Sequence, residues 1–331
     1  MIRESPKELD GVTEEQFDQW VVQCNAEVQT CLEDCLRTED GFVEMVARHL
    51  VDAGGKRYRP GLTIAAAGLG PKVDQERLIR AATMVELTHV ASLYHDDVMD
   101  EAEMRRGKPS AHVMWGNSVA ILVGDFMLAR ASILGASLGE DCIAYQAHTL
   151  ARLVQGQIAE SRDPDPGMDP IAHHLSVVSG KTAALIATAV RFGAIFGGLG
   201  ASEVEALTAF GEELGMAFQL ADDLMDLLSE ESGKPLGTDL REGVPTLTTL
   251  LIQDHPRDQD ARLIELLSAP VADADIPEAL ALIRAHPVLD QARAMIRTIA
   301  DQALAHLEIF SDSPAKRALA TLCTQAADRT T

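Results

Sequence analysis

Two long apolar stretches of the chain, each patterned as a helix, end in the same acidic motif. The first runs from Ala81 to Tyr94 and precedes Asp96-Asp97-Val98-Met99-Asp100. The second ends in Asp222-Asp223-Leu224-Met225-Asp226. A helix that is apolar on all sides must be buried. Helix-forming residues dominate almost everywhere else, so the pattern predicts an all-α fold with both motifs at the ends of core helices.

Length and composition allow one large helical domain or two smaller ones. The chain has 331 residues, of which 47% are hydrophobic and 4% aromatic, so Ala, Leu, Val and Ile fill the predicted core. The formal net charge of −23 argues against binding to nucleic acid or to an anionic membrane. A site for an anion must therefore be built from a local cluster of cations.

The sequence predicts a cytoplasmic protein with no transmembrane segment. Residues 1–7 are polar and lack the apolar region of a signal peptide. The most apolar runs, 81–94 and 182–199, are too short or too interrupted to span a bilayer. The five cysteines are best explained as thiols of a reducing compartment.

The spacing of the acidic residues predicts a magnesium site. Residues four apart share one face of a helix, so Asp96 and Asp100 project together, as do Asp222 and Asp226. Crowded carboxylates repel each other unless a cation lies among them. Hard oxygen ligands suit Mg²⁺, which completes its shell with water and substrate phosphates.

Three short segments and one histidine place cations or polar groups where a diphosphate could bind. Lys56-Arg57-Tyr58-Arg59 follows two glycines, Arg105-Arg106 follows the first acidic motif, and Lys181-Thr182 is predicted to start a helix. His89 lies two turns before Asp96 on the face of the carboxylates. The competing interpretations are a solvated basic turn, local pairing of the arginines with nearby glutamates, an ordinary helix cap and a core histidine.

These parts fit one reaction. Metal and arginine charges would stabilise a departing diphosphate, and the cation left behind needs a dry, apolar chamber. A second cationic cluster, Lys56 and Arg59 with Arg106, would hold a second anionic substrate as the acceptor.

Nearly the whole chain resembles the trans-isoprenyl (polyprenyl) diphosphate synthases. The resemblance rests on five segments, which are Gly54-Gly55-Lys56-Arg57-Tyr58-Arg59-Pro60, His95 to Asp100 with Arg105-Arg106-Gly107, Gly180-Lys181-Thr182, Phe218 to Asp226, and Gly233 to Leu240. It implies a single polyprenyl synthase domain over residues 1–331, with helices around a deep central cavity, and a homodimer. It also implies head-to-tail condensation of an allylic diphosphate with isopentenyl diphosphate.

The resemblance implies a role for each matching residue. Asp96, Asp100 and Asp222 would bind Mg²⁺, with about three ions per site, and Asp97, Asp223 and Asp226 would support them. The allylic diphosphate would contact Arg105, Lys181, Thr182, Gln219 and Lys234. Isopentenyl diphosphate would contact Lys56, Arg59, His89 and Arg106. Gly243-Val244-Pro245-Thr246 departs from the family pattern because it lacks a lysine.

Product length is predicted from the helix before Asp96. Bulky residues one turn before the aspartates would stop the growing chain early, but Ala91 and Ser92 are small, with Thr88 a turn deeper. About 16 Å of helix separates Asp96 from Val85. The floor would then be Met84 or a residue of the 118–138 helix, and the product a medium or long polyprenyl diphosphate, longer than C15.

Four alternatives remain open at this stage. Geranylgeranyl diphosphate synthase differs only in product length. A class I terpene cyclase shares the metal chemistry but does not need the Lys56 and Arg59 acceptor site. An HD-type phosphohydrolase would use His95-Asp96 but leaves Asp222 to Asp226 unexplained. A non-catalytic helical subunit has no reason to keep both acidic motifs.

Overall fold

The structure is a computed structural model that describes residue 9, residues 11–228 and residues 236–328. Its helices confirm the predicted all-α class. In chain order they are α1 (Glu14–Leu36), α2 (Gly41–Asp52), α3 (Tyr58–Ala67), α4 (Gln75–Met99), α5 (Ala111–Trp115), α6 (Asn117–Leu138), α7 (Glu140–Glu160), α8 (Pro170–Val178), α9 (Ala184–Phe196), α10 (Ala201–Leu228), α11 (Thr238–Glu242), α12 (Leu247–Asp254), α13 (Ala261–Leu266), α14 (Ile276–Arg284), α15 (Val288–His306) and α16 (Pro314–Asp328). Two short strands, β1 (Met104–Arg105) and β2 (Lys108–Pro109), form a hairpin after α4.

The chain divides into two compact units. The first comprises residues 1–151, 185–208 and 309–319, and the second comprises residues 152–184, 209–308 and 320–331. The first acidic motif and the Lys56 segment belong to the first unit. Lys181 and the second acidic motif belong to the second unit. A single domain over residues 1–331 stays a prediction.

Helix α4 is the core helix of the first unit, as its apolar sequence predicts. Its residues from Ala81 to Thr88 are all buried. The buried hydroxyl of Tyr94 donates a 2.5 Å hydrogen bond to the carbonyl of Val46 in α2. Helix α6 approaches α4 closely at Gly124, where an added Cβ would lie 2.3 Å from Nε2 of His95. The helix that ends in the first acidic motif is thus fixed by its neighbours up to its last turn.

The predicted helix start at Gly180-Lys181-Thr182 is wrong. Helix α8 begins ten residues earlier, at Pro170, and continues into α9 through a π-helical turn, Ser179–Ala183. The turn lies against α7, because an added Cβ on Gly156 would lie 2.7 Å from the backbone nitrogen of Lys181. Gly180 therefore allows close helix packing instead of opening a helix, and π turns of this kind occur frequently at functional sites.

Two stretches among the described residues are long and apolar enough to cross a membrane by length and composition. They are Asn117–Leu138 and Pro170–Phe196, and 33% and 72% of their most apolar windows are buried in the protein. Core helices of soluble proteins pass the same test, so these stretches do not by themselves indicate a membrane span. The absence of a transmembrane segment stays a prediction.

Candidate active site

The three aspartates of the first acidic motif have different surroundings. Asp96 and Asp100 keep accessible surface at the end of α4, whereas the side chain of Asp97 is 1% exposed. Asp97 accepts a 2.6 Å hydrogen bond from Nε of Arg105. Burial raises the pKa of Asp97, and the guanidinium of Arg105 opposes that rise. Asp97 is therefore buried and paired with Arg105, whereas Asp96 is partly exposed and Asp100 is exposed.

The hairpin after α4 carries Arg105 back to Asp97. Arg105 pairs with Lys108 across the two strands. The turn residues Arg106 and Gly107 both have positive φ, 51° and 74°. Two-residue hairpins of this type match the natural twist of the strands and favour glycine at the second position. The Arg-Arg-Gly-Lys sequence thus builds the turn that separates the two arginines.

The second of these arginines lies against the loop after α2. Nη1 of Arg106 donates to the carbonyls of Leu50 and Gly54, at 2.9 and 2.7 Å. Its guanidinium covers Gly55, where an added Cβ would lie 3.1 Å from Cζ. Gly55 is therefore needed for the close approach of the loop to the arginine.

A cationic cluster in the first unit contains the residues predicted to bind isopentenyl diphosphate. Lys56 is exposed on the loop, and Arg59 and Arg106 are partly buried. Desolvation lowers the pKa of both arginines. Burial lowers the pKa of His89 well below 6.5, and the surrounding arginines lower it further. His89 is therefore a neutral imidazole beside several permanent cations.

The three carboxylates of the second acidic motif, at the end of α10, also differ in exposure. Asp222 is exposed. Asp223 accepts a 2.8 Å hydrogen bond from Nε2 of Gln219. Asp226 is 8% exposed and accepts hydrogen bonds from the backbone N–H groups of Thr238 and Asp239, both at 3.2 Å. The last two contacts fix the first turn of α11 beside the motif.

Gln219 connects the second motif to the π turn. The hydroxyl of Thr182 donates to Oε1 of Gln219 at 2.8 Å. The two helices can come this close because Gly215 faces Ala183, where an added Cβ would lie 2.5 Å from the Ala183 Cα. The structure thus brings three predicted residues, Thr182, Gln219 and Asp223, into one chain of hydrogen bonds.

Two further polar residues join this site without having been predicted. Glu160 accepts a 2.5 Å ion-paired hydrogen bond from Nζ of Lys181 and a 3.1 Å hydrogen bond from Gln157. Nε2 of His174 lies 3.7 Å from Oδ2 of Asp223. Burial lowers the pKa of His174 to about 4 and raises the pKa of Asp223 to about 8.

Glu160 could have been suspected from the sequence, because it is followed by Ser161 and these two polar residues come just before the loop at residues 163–167. His174 gives no such signal. It lies in an ordinary amphipathic helix, and only folding brings it to Asp223.

Each acidic motif by itself fits a divalent cation that binds mainly through substrate and water. Asp96 and Asp100 in the first unit, and Asp222 in the second, are carboxylates with accessible surface, the ligand type that Mg²⁺ prefers. Within the described ranges no three His, Cys, Asp or Glu side chains form a cluster that could hold a metal ion. An ion at either motif would therefore take its remaining ligands from phosphate oxygens and water.

The residues predicted to control product length are not equally accessible. Ala91 and Thr88 are fully buried, whereas Ser92 is partly exposed. Nε2 of Gln146, from α7, donates a 2.5 Å hydrogen bond to the hydroxyl of Thr88. Met84, a predicted floor residue, points its sulfur at α6, where an added Cβ on Gly135 would lie 3.0 Å away. A polar bridge between α4 and α7 thus lies one turn nearer the aspartates than Met84.

One predicted residue cannot be placed. Lys234 lies outside the described residues, as does the Gly233-Lys234-Pro235 segment around it. The segment that lacks the family lysine, Gly243 to Thr246, follows α11, and Thr246 caps α12 with a side-chain hydrogen bond.

Comparison with known proteins identifies the group of proteins that the chain matches. The family model described as Polyprenyl synthetase matches residues 41–283. The nonaprenyl diphosphate synthase of Mycobacterium tuberculosis is 45% identical over 300 residues, which cover 90% of each chain.

Solved structures agree with this match. A polyprenyl synthase from Caulobacter crescentus CB15, complexed with calcium and isoprenyl diphosphate, superposes with a TM-score of 0.87 at 33% identity, covering 96% of this chain and 98% of its own. A geranylgeranyl pyrophosphate synthase from Corynebacterium glutamicum, in the same type of complex, gives a TM-score of 0.85 at 38% identity, covering 95% and 98%.

Proposed function

We propose, from the premise that this chain belongs to the polyprenyl synthetase family, that it condenses isopentenyl diphosphate head to tail with an allylic diphosphate. It is a prenyltransferase that makes polyprenyl diphosphates. The observation that carries the detailed assignment is the division within the acidic motifs. Each motif keeps at least one exposed aspartate and uses the others to hold neighbouring side chains or backbone.

The exposed aspartates are proposed to bind the metal. Asp96, Asp100 and Asp222 would hold Mg²⁺, about three ions per site, together with the substrate diphosphate. The bound metal supplies positive charge that stabilises the departing diphosphate. Similar structures that are complexed with calcium and isoprenyl diphosphate support dependence on a divalent cation. Asp97, Asp223 and Asp226 would keep the metal ligands and the surrounding side chains in place.

The two substrates are proposed to bind through different cationic groups. Lys56, Arg59, His89 and Arg106 would bind the diphosphate of isopentenyl diphosphate, and the accessible Lys56 would meet it first. Arg105, Lys181, Thr182, Gln219 and Lys234 would bind the allylic diphosphate. Because Lys181 is paired with Glu160 in the free enzyme, the allylic diphosphate must compete with that carboxylate for the ammonium group.

The reaction requires these residues to favour departure of the diphosphate and to exclude water. Arg105 and Lys181 would oppose the negative charge that develops on the leaving group. The allylic cation adds to the double bond of isopentenyl diphosphate, and a proton is then lost. The apolar side chains of the helical core would protect the cation from capture by water.

The product is proposed to be a medium or long polyprenyl diphosphate, longer than C15. The nonaprenyl diphosphate synthase of M. tuberculosis, which is 45% identical to this chain over 300 residues, supports a long product. Ala91, Ser92 and Thr88 would line the path of the growing chain. We also propose that the enzyme works as a cytoplasmic homodimer in which residues 1–331 form one functional domain.

The second candidate, geranylgeranyl diphosphate synthesis, is favoured by the similarity to the C. glutamicum enzyme. Mass spectrometry of the products formed from isopentenyl diphosphate, Mg²⁺ and each allylic primer separates the two. A C20 product with excess isopentenyl diphosphate would support the second candidate, and farnesyl diphosphate as the main product would contradict both.

The metal assignment is tested with Asp96→Ala and Asp222→Ala, each compared with wild type over a range of Mg²⁺ concentrations. We expect loss of condensation in both variants with retention of the helical far-ultraviolet circular dichroism spectrum. Full turnover by the double variant would refute the proposed role of the two motifs.

A further inference from the structure

Arg57, which follows Lys56 in the loop between α2 and α3, has no proposed role in binding, although its side chain makes four hydrogen bonds. The guanidinium of Arg57 donates to Oε1 of Glu86 at 2.9 Å and to the carbonyl of Val51 at 3.0 Å. Nε and Nη2 both donate to Oε1 of Gln29, at 3.2 and 2.9 Å. Arg57 therefore joins the loop to α4, to the C-terminal end of α2 and to α1.

The backbone of Arg57 is held in an unfavourable conformation. Its φ and ψ are 46° and 42°, the left-handed region that residues other than glycine seldom adopt. Strained residues of this kind persist only where the surroundings determine them. Here the side chain supplies that constraint. The strained residue lies directly between Lys56 and the first turn of α3, which carries Arg59.

Glu86 is the buried anion beneath this cluster. Its side chain is 3% exposed, and that of Arg57 is 13% exposed. A buried carboxylate without a cation is strongly unfavourable. Burial lowers the pKa of Arg59 and of Arg106, and the negative charge of Glu86 opposes that lowering. Glu86 lies one turn before His89 on α4 and thereby ties the loop to the helix that carries His89.

Arg106 secures the other side of the same loop. It donates to the carbonyls of Leu50 and Gly54, next to the Val51 carbonyl that Arg57 uses. Two guanidinium groups thus satisfy the last carbonyls of α2, where a helix favours positive charge. The loop from Gly54 to Arg57 is held from both sides, and Lys56 is left exposed between them.

We propose that Arg57 is a positioning residue for isopentenyl diphosphate, with Glu86 as its counter-ion. The pair fixes the strained loop so that Lys56, Arg59 and His89 converge on one diphosphate. In this proposal Arg57 itself does not contact the substrate, because Glu86, Gln29 and Val51 accept from four of its five N–H donors. The inference rests on the proposed function, since it assumes that those three residues bind isopentenyl diphosphate.

The test compares Arg57→Gln, Arg57→Lys and Glu86→Gln with wild type. In steady-state kinetics we expect Arg57→Gln to raise the KM for isopentenyl diphosphate by about tenfold or more, the effect of losing charge-assisted hydrogen bonds. The KM for the allylic substrate should stay within about twofold, because the other cations are untouched. Arg57→Lys keeps the charge but not the four hydrogen bonds, so it should be intermediate.

Glu86→Gln should raise the same KM, and combining it with Arg57→Gln should add little. The matched control is Arg48→Ala on α2, which removes an arginine that pairs with Glu44 and Asp52 of its own helix. It should leave both KM values unchanged. Calorimetric titration with isopentenyl diphosphate alone should show the weakened binding directly.

The outcomes separate the positioning role from the proposed function. If Lys56→Gln and Arg59→Gln raise the KM for isopentenyl diphosphate but the Arg57 variants do not, the positioning role is wrong and the proposed site stands. If Lys56→Gln and Arg59→Gln also leave that KM unchanged, the proposed site is wrong. Equal changes in both KM values, or unfolding of every Arg57 variant including Arg57→Lys, would assign Arg57 to overall stability and overturn the inference.

Discussion

The polar bridge between Gln146 and Thr88 gives a sharp prediction about product length. Thr88 lies eight residues before Asp96, which is about 12 Å along the axis of α4. A prenyl chain that grows beside this helix meets the bridge at that depth. An apolar chain cannot replace the hydrogen bond it would break, so the bridge opposes further growth. We expect Gln146→Ala to shift the products towards longer chains.

The fold should tolerate the loss of the Gln146 side-chain amide. The hydroxyl of Thr88 keeps its own hydrogen bond to the carbonyl of Met84, at 2.9 Å. Losing the neutral hydrogen bond from Gln146 costs about 1 kcal/mol. Oε1 of Gln146 is buried and finds no hydrogen-bond partner among the described residues, and removing such an atom returns about 1–3 kcal/mol. Gln146→Leu, which also keeps the volume, should therefore be close to neutral or stabilising.

The two variants separate the polarity of the bridge from its size. With farnesyl diphosphate as primer and excess isopentenyl diphosphate, mass spectrometry should show longer products for Gln146→Ala. Gln146→Leu should not lengthen them if bulk sets the limit, and should lengthen them if the hydrogen bond does. Gln155→Ala, an exposed glutamine on the same helix, is the control. Unchanged products in both Gln146 variants would show that the chain does not reach Thr88.

Other consequences can be measured on the same enzyme. Ala91→Phe should shorten the product, and if no open path borders Ala91 it should instead lower the free energy of unfolding by about 1–3 kcal/mol without changing the product. Tyr94→Phe, which removes the hydrogen bond to Val46, should lower that free energy by about 0.5–1.5 kcal/mol in urea denaturation. Because the pKa of His89 is depressed in the folded enzyme, its contribution to stability is present above pH 6.5 and is lost as the pH falls below it. The free energy of unfolding should therefore fall more steeply in acid for wild type than for His89→Gln. Parallel pH profiles of the two proteins would contradict this. Gly215→Ala should raise the KM for the allylic substrate more than that for isopentenyl diphosphate, since the new Cβ would push Thr182 away from Gln219.

Local sequence patterns predict much of this fold because they depend only on residues that are close together in the chain. Thr13-Glu14-Glu15-Gln16 has the spacing of a capping box, and reciprocal hydrogen bonds between Thr13 and Gln16 form it at the start of α1. The apolar stretch before Asp96 forms a buried helix for the same reason, since its pattern alone excludes solvent on every side. Motif spacing likewise places Asp96 and Asp100 on one exposed face.

Packing between distant residues is what the sequence could not reveal. Gly180 looked like the start of a helix, but its function is to admit Gly156 of α7, and no local pattern names that partner. Glu86 and Arg57 are 29 residues apart, and Gln146 and Thr88 are 58 apart. From the sequence alone, each of these side chains could equally be an ordinary surface or core residue. Only the folded structure shows which partner it contacts.

The two acidic motifs have the same pattern of aspartates but differ in the contacts of the last aspartate. In the first, the residues four apart, Asp96 and Asp100, both keep accessible surface. In the second, Asp226 is buried and accepts two backbone N–H groups from the start of α11. A carboxylate that accepts two backbone N–H groups has fewer lone pairs left for a metal ion. The asymmetry therefore follows from the chain after each motif. A hairpin follows the first motif and engages Asp97, whereas α11 follows the second and engages Asp226. Asp100 and Asp222 are the exposed aspartates of the two motifs.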